Sequence, residues 1–256
     1  MNIWQTFLYQ PLLNGLILFY QLFNSVGWSI IGLTLVLRLV LLPLTLPTLK
    51  SAQKMKELAP KLEKLKKKYS DDKQKLAQAQ MDLYRTAGVK PFAGFLPQII
   101  QIVILIALYQ AFRQVLGDGS IEKLNQMLYQ PLKLAADTQL NLKFLYLDLA
   151  KPDFIRIAGR KLPGLFLIIA AAAQYLSARL MMPQTKKQKD VAKKTEAKSD
   201  DFAAAMQTQS LYIFPLMTLL IGLSFPSGLI LYWLVFSVFN LVQQLLIKRQ
   251  QNNGQN

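Results

Sequence analysis

The longest uncharged stretch of this sequence covers residues 209–247, and its 39 positions contain no Asp, Glu, Lys or Arg. The hydrocarbon core of a bilayer is roughly 30 Å thick, and a helix of about 20 apolar residues crosses it. The stretch is therefore long enough for two crossings. The turn-forming segment Phe225-Pro226-Ser227-Gly228 divides it, so we expect a hairpin of two transmembrane helices at 209–224 and 228–247.

Three further segments have the length and hydropathy of transmembrane helices: residues 24–48, 94–116 and 162–182. Together with the hairpin they predict an all-α integral membrane protein with five transmembrane helices, in keeping with a composition that is 52% hydrophobic. Residues 1–23 carry no charged side chain and include aromatic residues, which favours an interfacial helix. A sixth span and a cleaved targeting signal are the alternatives, although a targeting signal normally begins with positive charges.

The distribution of basic residues predicts the orientation of the chain. Residues 49–93 contain twelve Lys and Arg, and residues 183–208 contain six. Because cytoplasmic loops carry an excess of Lys and Arg, we expect both segments and the tail 248–256 in the cytoplasm. Residues 117–161 are then an extracytoplasmic loop, and the N-terminus lies outside. The 16 positive charges in excess over the whole chain thus belong to loops rather than to a nucleic-acid surface, and no DNA partner is expected.

The segment 49–93 has the pattern of a helical hairpin. Met55, Leu58, Leu62, Leu65 and Tyr69 recur at spacings of three and four, and the same spacing returns after Ser70-Asp71-Asp72, which supplies N-cap residues. Its outward lysines indicate a docking surface for an anionic partner, with a solvated connector as the alternative. The candidate docking residues are Lys54, Lys61, Lys64, Lys66, Lys67 and Lys68. Residues 183–208 lack apolar periodicity and are predicted to be a flexible linker.

Several classes of chemistry are excluded by what the chain lacks. It contains no cysteine and no histidine, so thiolate and imidazole metal sites, disulfides and Ser-His or Cys-His catalysis are ruled out. The five predicted spans contain no Asp or Glu, which argues against a proton relay or an intramembrane aspartyl protease. We expect no catalytic residue, no metal and no cofactor.

Arg38 is the exception among the spans, because it lies in the middle of the first one. An arginine at the centre of a membrane helix costs roughly 2.5–3.5 kcal/mol on insertion scales, so it requires water or a visiting anion. Polar residues recur at helical spacing in four of the spans, and if these faces converge they line a polar intramembrane groove. The alternative is that they form hydrogen bonds between helices. Besides Arg38, the candidate groove residues are Thr34, Thr45, Gln98, Gln101, Gln174, Ser177, Trp233 and Ser237.

These residues stand in an order that resembles a known family. The motifs are Leu37-Arg38-Leu39, Pro43-Leu44-Thr45, Ala59-Pro60-Lys61, Leu83-Tyr84-Arg85, Gly94-Phe95-Leu96-Pro97, Phe225-Pro226-Ser227-Gly228-Leu229, Leu231-Tyr232-Trp233 and Gln243-Gln244. Their order and spacing resemble the YidC family of membrane protein insertases, in the short form that lacks a large extracytoplasmic domain. The resemblance covers about residues 26 to 248.

The resemblance implies five helices around a groove that is open to the cytoplasm and to lipid. It implies that Arg38 is the groove arginine and that Trp233 is the aromatic residue at the start of the last span. The implied function is insertion of nascent membrane proteins into the bilayer of the bacterial plasma membrane, without nucleotide hydrolysis. The implied partners are the nascent clients and the bilayer, together with the ribosome, the signal-recognition machinery and the general secretion channel.

Three other functions fit parts of the pattern. A transporter for small anions would also use an arginine within the membrane, although no internal repeat is evident. A chaperone that holds partner helices needs the same groove as an insertase. An RNA-binding protein would use residues 49–93, but that segment lacks the interleaved aromatic residues that stack on bases.

Overall fold

The computed structural model describes residues 3–89, 95–117, 120–181 and 209–253. The predicted linker 183–208 lies outside these residues. The described chain is mostly helical, and its α-helices are α1 (Gln10–Phe23), α2 (Val26–Lys68), α3 (Lys73–Thr86), α4 (Phe95–Leu116), α5 (Ile121–Met127), α6 (Leu165–Met181), α7 (Phe214–Gly222) and α8 (Ser227–Asn253). A π-helical segment precedes α1 at Gln5–Tyr9, and another precedes α7 at Gln209–Ile213.

Within the described residues, three helices are long and apolar enough to cross a membrane, namely α2, α4 and α8. α6 and α7 are also apolar but shorter. α6 begins at Leu165 rather than at residue 162, because the residues before it belong to a strand. The predicted set of five spans therefore corresponds to three long helices and two short ones.

α2 continues without a break from the predicted first span into the predicted hairpin. It has 43 residues, which corresponds to about 65 Å of helix, and it contains Pro43, Pro47 and Pro60. The helix has no break at residue 48, because a membrane interface does not interrupt the backbone hydrogen bonds of a helix, and the membrane boundary at that position stays a prediction. The first arm of the hairpin is thus a continuation of the helix that contains the predicted first span.

The hairpin reverses direction between α2 and α3. Asp72 caps α3, because its carboxylate accepts a hydrogen bond of 3.0 Å from the backbone N–H of Lys75. This hydrogen bond lowers the pKa of Asp72 below its usual value. Leu58 of α2 and Leu76 of α3 are buried, whereas the predicted docking lysines are exposed except for the half-buried Lys66.

The segment between α4 and α6 is not purely a loop, and the expectation of an all-α fold is wrong here. It contains α5, a 3-10 helix at Gln130–Leu132 and two antiparallel β-hairpins. One hairpin pairs β1 (Lys143–Phe144) with β2 (Leu147–Asp148), and the other pairs β3 (Phe154–Ile157) with β4 (Arg160–Pro163). Ala158 and Gly159 both have positive φ, as a tight two-residue hairpin turn requires.

The packed centre of the molecule lies where α2, α6 and α8 meet, with α1 against α2 and α7 against α6. α4 packs on α1 and α8. Large side chains that are almost completely buried include Leu13, Ile17, Ile30, Leu108, Phe112, Leu167, Ile230 and Leu231. They hold together the helices that carry the polar residues described next.

α1 lies across the ends of α2 and α4 that adjoin the segment 120–163. Gly15 of α1 faces Leu33 in the second turn of α2, and Trp4 donates a hydrogen bond to Gln110 near the end of α4. Asn14 bonds to the backbone of Met127 and Tyr129. An interfacial position for residues 1–23 stays a prediction.

Candidate functional site

Arg38 is buried between three helices, with 7% of its surface exposed. Its Nη2 donates a hydrogen bond of 2.9 Å to Oε1 of Gln101 on α4. Its guanidinium lies 3.6 Å from the centre of the Phe236 ring on α8. The charged guanidinium of Arg38 is therefore held by a neutral amide and an aromatic face.

Gln101 extends this arrangement to a second residue of α8. Its Nε2 donates a hydrogen bond of 2.6 Å to the hydroxyl oxygen of Tyr232, which is 3% exposed. Arg38, Gln101 and Tyr232 thus form a hydrogen-bonded chain that joins α2, α4 and α8. Among the described residues, the ion pairs all lie elsewhere and none involves Arg38. The Arg38 guanidinium is therefore held by neutral groups and keeps its positive charge.

Two of the predicted groove hydroxyls bond within their own helices. Thr34 donates to the carbonyl of Ile30 at 2.5 Å, and Ser237 donates to the carbonyl of Trp233 at 2.7 Å. Such bonds satisfy a hydroxyl in an apolar setting without a partner helix. Neither residue therefore links helices here, although Thr34 lies one turn from Arg38.

The remaining predicted residues are divided between other helix pairs. Thr45 accepts a long hydrogen bond of 3.5 Å from Gln243 of α8, and Gln174 of α6 accepts one of 2.8 Å from Thr218 of α7. Ser177 is buried, and its hydroxyl has no hydrogen-bond partner among the described residues. Trp233 is half-buried. The side chain of Gln98 lies outside the described part of the structure.

Sequence reasoning missed the two residues of α8 that surround the charge, Tyr232 and Phe236. They are one turn apart, and each precedes by one position a residue of the predicted polar stripe, Trp233 and Ser237. A shift of one residue rotates a helix face by about 100°. Polarity indicated one face of α8, whereas Phe236, which contacts Arg38, and Tyr232, which bonds to Gln101, occupy the adjacent one.

The opposite end of these helices is covered by residues 148–153. The backbone N–H groups of Ser227 and Gly228 donate to the carbonyls of Lys151 and Leu149, at 2.7 and 3.0 Å. The Ser227 hydroxyl donates to the carbonyl of Asp148 at 2.7 Å. These bonds satisfy the free N–H groups at the start of α8, so the cover is fixed to the turn between α7 and α8.

The same cover also holds the start of α6. Asp153 is 3% exposed and accepts hydrogen bonds from the Tyr146 hydroxyl at 3.0 Å and from the Leu167 N–H at 3.2 Å. Tyr146 in turn accepts a bond from the N–H of Phe166. Burial raises the pKa of Tyr146 above its usual value. The ring of Phe225 contacts Tyr109 of α4 at 5.5 Å, so α4 and the α7–α8 turn approach each other at this end.

A sequence model of the family described as 60Kd inner membrane protein matches residues 18–254. A membrane protein insertase YidC of Fusobacterium nucleatum is 34% identical over 227 residues, which are 89% of this chain and 88% of the relative. The chain belongs to the YidC family. YidC 2 of Listeria innocua is 32% identical over 256 residues and is covered over 74% of its length.

Other YidC proteins are longer than the match. The relative from Syntrophobacter fumaroxidans is 32% identical over 246 residues, and the chain spans 38% of its length. A crystal structure of an active YidC insertase with its first transmembrane domain resolved has a TM-score of 0.55 and 26% identity. The alignment covers 91% of this chain and 45% of that one. The resemblance inferred from the motifs is confirmed, and the family consists of inner membrane proteins.

Proposed function

We propose that this YidC family member inserts nascent hydrophobic proteins into the bilayer. The client enters from the cytoplasm into a hydrophilic groove that bears Arg38, and its apolar helix leaves sideways into lipid, without nucleotide hydrolysis. The chain crosses the membrane five times, with the N-terminus outside and the C-terminus in the cytoplasm. The family and the three long apolar helices support this assignment.

The observation that carries the proposal is the setting of Arg38. Its cost in the middle of a span is offset here by an amide and an aromatic ring, both of them neutral. A carboxylate from a client would form a charge-assisted hydrogen bond, which is roughly twice as strong as a neutral one. Arg38 is thus held in place while it keeps its affinity for an acidic flank.

The short helices lower the barrier for the polar flank. α6 has 17 residues and reaches about 25 Å, while α7 and its π-helical segment have 9 and 5 residues and together reach about 21 Å. Both lengths are below the roughly 30 Å of a bilayer core. A helix shorter than the core thins the bilayer around it, so the client's polar groups cross a shorter apolar path.

The route of the client follows from which sides of the groove are closed and which are open. Residues 148–153 and the Phe225–Tyr109 contact close the outer end, so the groove is entered from the cytoplasm. α7 packs on α6 and α4 packs on α1 and α8, and both α4 and α7 present exposed apolar side chains. The client's helix passes between them into lipid, driven by burial of about 20 apolar residues.

The basic hairpin receives the client before insertion. Its lysines are exposed on a helix that continues directly from the span of Arg38, so a complex docked there holds its client near the groove. The anionic partners that fit such a surface are ribosomal RNA, the signal-recognition machinery and lipid headgroups, and the general secretion channel is a further partner.

Reconstitution of the purified chain in liposomes tests the proposal. A short membrane protein with an acidic outer flank is synthesised in their presence, and insertion is measured as protection of the flank from protease. We expect protection above that of empty liposomes and a fall with Arg38→Ala. Arg113→Ala is the matched control, because Arg113 is exposed in the last turn of α4.

The outcomes separate the rival functions. If Arg38→Ala and Arg113→Ala reduced protease protection equally, Arg38 would have no specific role in insertion. No protection above empty liposomes, together with a stable complex between chain and client, would favour a chaperone that holds helices without translocating them.

A further inference from the structure

A second basic site lies away from Arg38, at the other end of the helices that the outer cover closes. A cavity of about 280 Å³ is lined by one cation from each of three helices, Lys56 of α2, Arg179 of α6 and Lys248 of α8. Four leucines complete the lining. The combination of three positive charges and an apolar wall is unlike the Arg38 site, where a single charge is enclosed by neutral groups.

Arg179 and Lys248 lie where their proposed spans end, whereas Lys56 lies beyond the proposed end of the first span and reaches the same level through its contact with α6. Lys248 directly follows the uncharged stretch 209–247, and Arg179 lies in the last turn of α6. Lys56 donates a hydrogen bond of 3.0 Å to the carbonyl of Leu180, one of the last carbonyls of α6. The site therefore sits at the predicted cytoplasmic boundary of the bilayer.

The charges of the site repel one another. Burial and the positive charge of Lys248 lower the pKa of Lys56. The ion pairs of the described residues lie in the hairpin and in the outer segment, so none of them supplies a carboxylate to Lys56, Arg179 or Lys248. A bound anion would relieve this repulsion, and Arg179 offers the planar fork that pairs with phosphate oxygens.

The neighbouring turn of each helix adds buried polar groups. Gln53, Ser177 and Gln244 lie within one turn of the three cations, and each is 8% exposed. An oxygen of each, Oε1 in the glutamines and Oγ in the serine, is buried without a hydrogen-bond partner among the described residues. Of these three atoms only the Ser177 hydroxyl can donate a hydrogen bond to an anion, because an amide oxygen only accepts.

The apolar part of the lining identifies the source of the anion. Leu176 and Leu245 are 46% and 47% exposed, on the surface of helices that face lipid in the proposed arrangement. We propose that the cavity formed by Lys56, Arg179 and Lys248 binds the phosphate of an anionic phospholipid, whose acyl chain lies along Leu176 and Leu245. This rests on the proposed placement of the helices in the membrane. The lipid would bridge α2, α6 and α8.

Native mass spectrometry of the purified full chain tests the site. The chain in detergent is mixed with phosphatidylglycerol or with phosphatidylcholine, and bound lipid is counted as a function of lipid concentration. We expect tight binding of phosphatidylglycerol and roughly thirtyfold weaker binding in Arg179→Gln/Lys248→Gln, because each basic residue near a headgroup contributes about fivefold. Each single variant is measured as well, so that the result does not depend on the folding of the pair.

The matched control removes two exposed lysines of the segment between α4 and α6, as Lys123→Gln/Lys143→Gln, and should leave binding unchanged. If the control variant bound phosphatidylglycerol as weakly as Arg179→Gln/Lys248→Gln, the proposal would be overturned, because the lipid would then be attracted by the overall positive charge of the protein. Equal binding of phosphatidylcholine would also overturn it. Displacement of phosphatidylglycerol by inorganic phosphate at equal concentration would show an anion site without lipid selectivity. Lipid binding is read without any client, so its failure is distinct from failure of insertion.

Discussion

The guanidinium of Arg38 lies 3.6 Å from the centre of the Phe236 ring, and this contact joins the N-terminal third of α2 to α8. A cation over an aromatic face is stabilised by about 2 kcal/mol or more when it is removed from water. The ring therefore offsets part of the cost of a charge within the membrane. It does so without a carboxylate, and in the proposed mechanism the charge therefore stays available to a client.

The contact predicts an energetic coupling between the two residues. Phe236→Leu keeps an apolar side chain but removes the ring, and we expect a loss of about 1–2 kcal/mol in the free energy of unfolding. In an Arg38→Ala background the same change should cost markedly less, because the cation is gone. A double-mutant cycle by denaturant unfolding in mixed micelles measures this. Equal costs in both backgrounds would show that the ring acts by packing alone.

The charge of Arg38 predicts selectivity among clients. A hydrogen bond to a charged group contributes about 1.5–3 kcal/mol, so Arg38→Ala should reduce insertion of a client with an acidic outer flank roughly tenfold or more. The same client with a neutral flank should be affected far less. Arg38→Lys should retain much of the activity because it keeps the charge. Equal defects for both flanks would contradict electrostatic capture.

Asp153 is predicted to stabilise the first turn of α6. Its carboxylate accepts the N–H of Leu167 and the hydroxyl of Tyr146, and loss of a helix cap costs about 0.5–2 kcal/mol. Asp153→Ala should lower the thermal unfolding midpoint. Asp137→Ala removes the same charge from an exposed position in the same segment and should not. A shift of similar size in both variants would point to net charge instead.

The outer cover is also predicted to weaken in acid. A hydrogen bond from Lys151 holds the pKa of Asp148 below its usual value of 3.8. Because the folded pKa is the lower one, the carboxylate stabilises the folded state above the unfolded pKa, and this is lost as the pH falls through the folded pKa. As the pH is lowered below the usual aspartate pKa, Asp148→Asn should lose less thermal stability than the unsubstituted chain. An unchanged pH profile would exclude Asp148 as a contributor.

The basic hairpin is predicted to act in delivery rather than in folding. Replacing Lys61, Lys64 and Lys68 with glutamine should reduce insertion of ribosome-bound clients, while exposed substitutions of this kind change stability by no more than about 0.5 kcal/mol. The matched control replaces Lys123, Lys133 and Lys143, which are exposed in the outer segment. Loss of thermal stability in the hairpin variant, or an equal insertion defect in the control, would contradict a docking role.

The outer segment shows where sequence reasoning failed. An all-α fold predicts no strands in the connection between α4 and α6, yet the described residues 120–163 form a helix and two β-hairpins, and residues 148–153 cover the α7–α8 turn. The strands have two to four residues each, too short for alternation of polar and apolar side chains to be recognised. The Ala158-Gly159 turn gives little signal in the sequence, because alanine rarely adopts the positive φ that Ala158 has here.

The sequence by itself determined where the apolar helices lie, that the family is YidC, and that Arg38 is the charge to explain. These are local properties, since a helix needs only its own backbone hydrogen bonds and a charge stands out in any apolar run. The tertiary structure decided the partners of that charge: Gln101, Phe236 and, through Gln101, Tyr232. The reason is rotational, because neighbouring positions on a helix differ by about 100° and packing alone fixes which face meets α2.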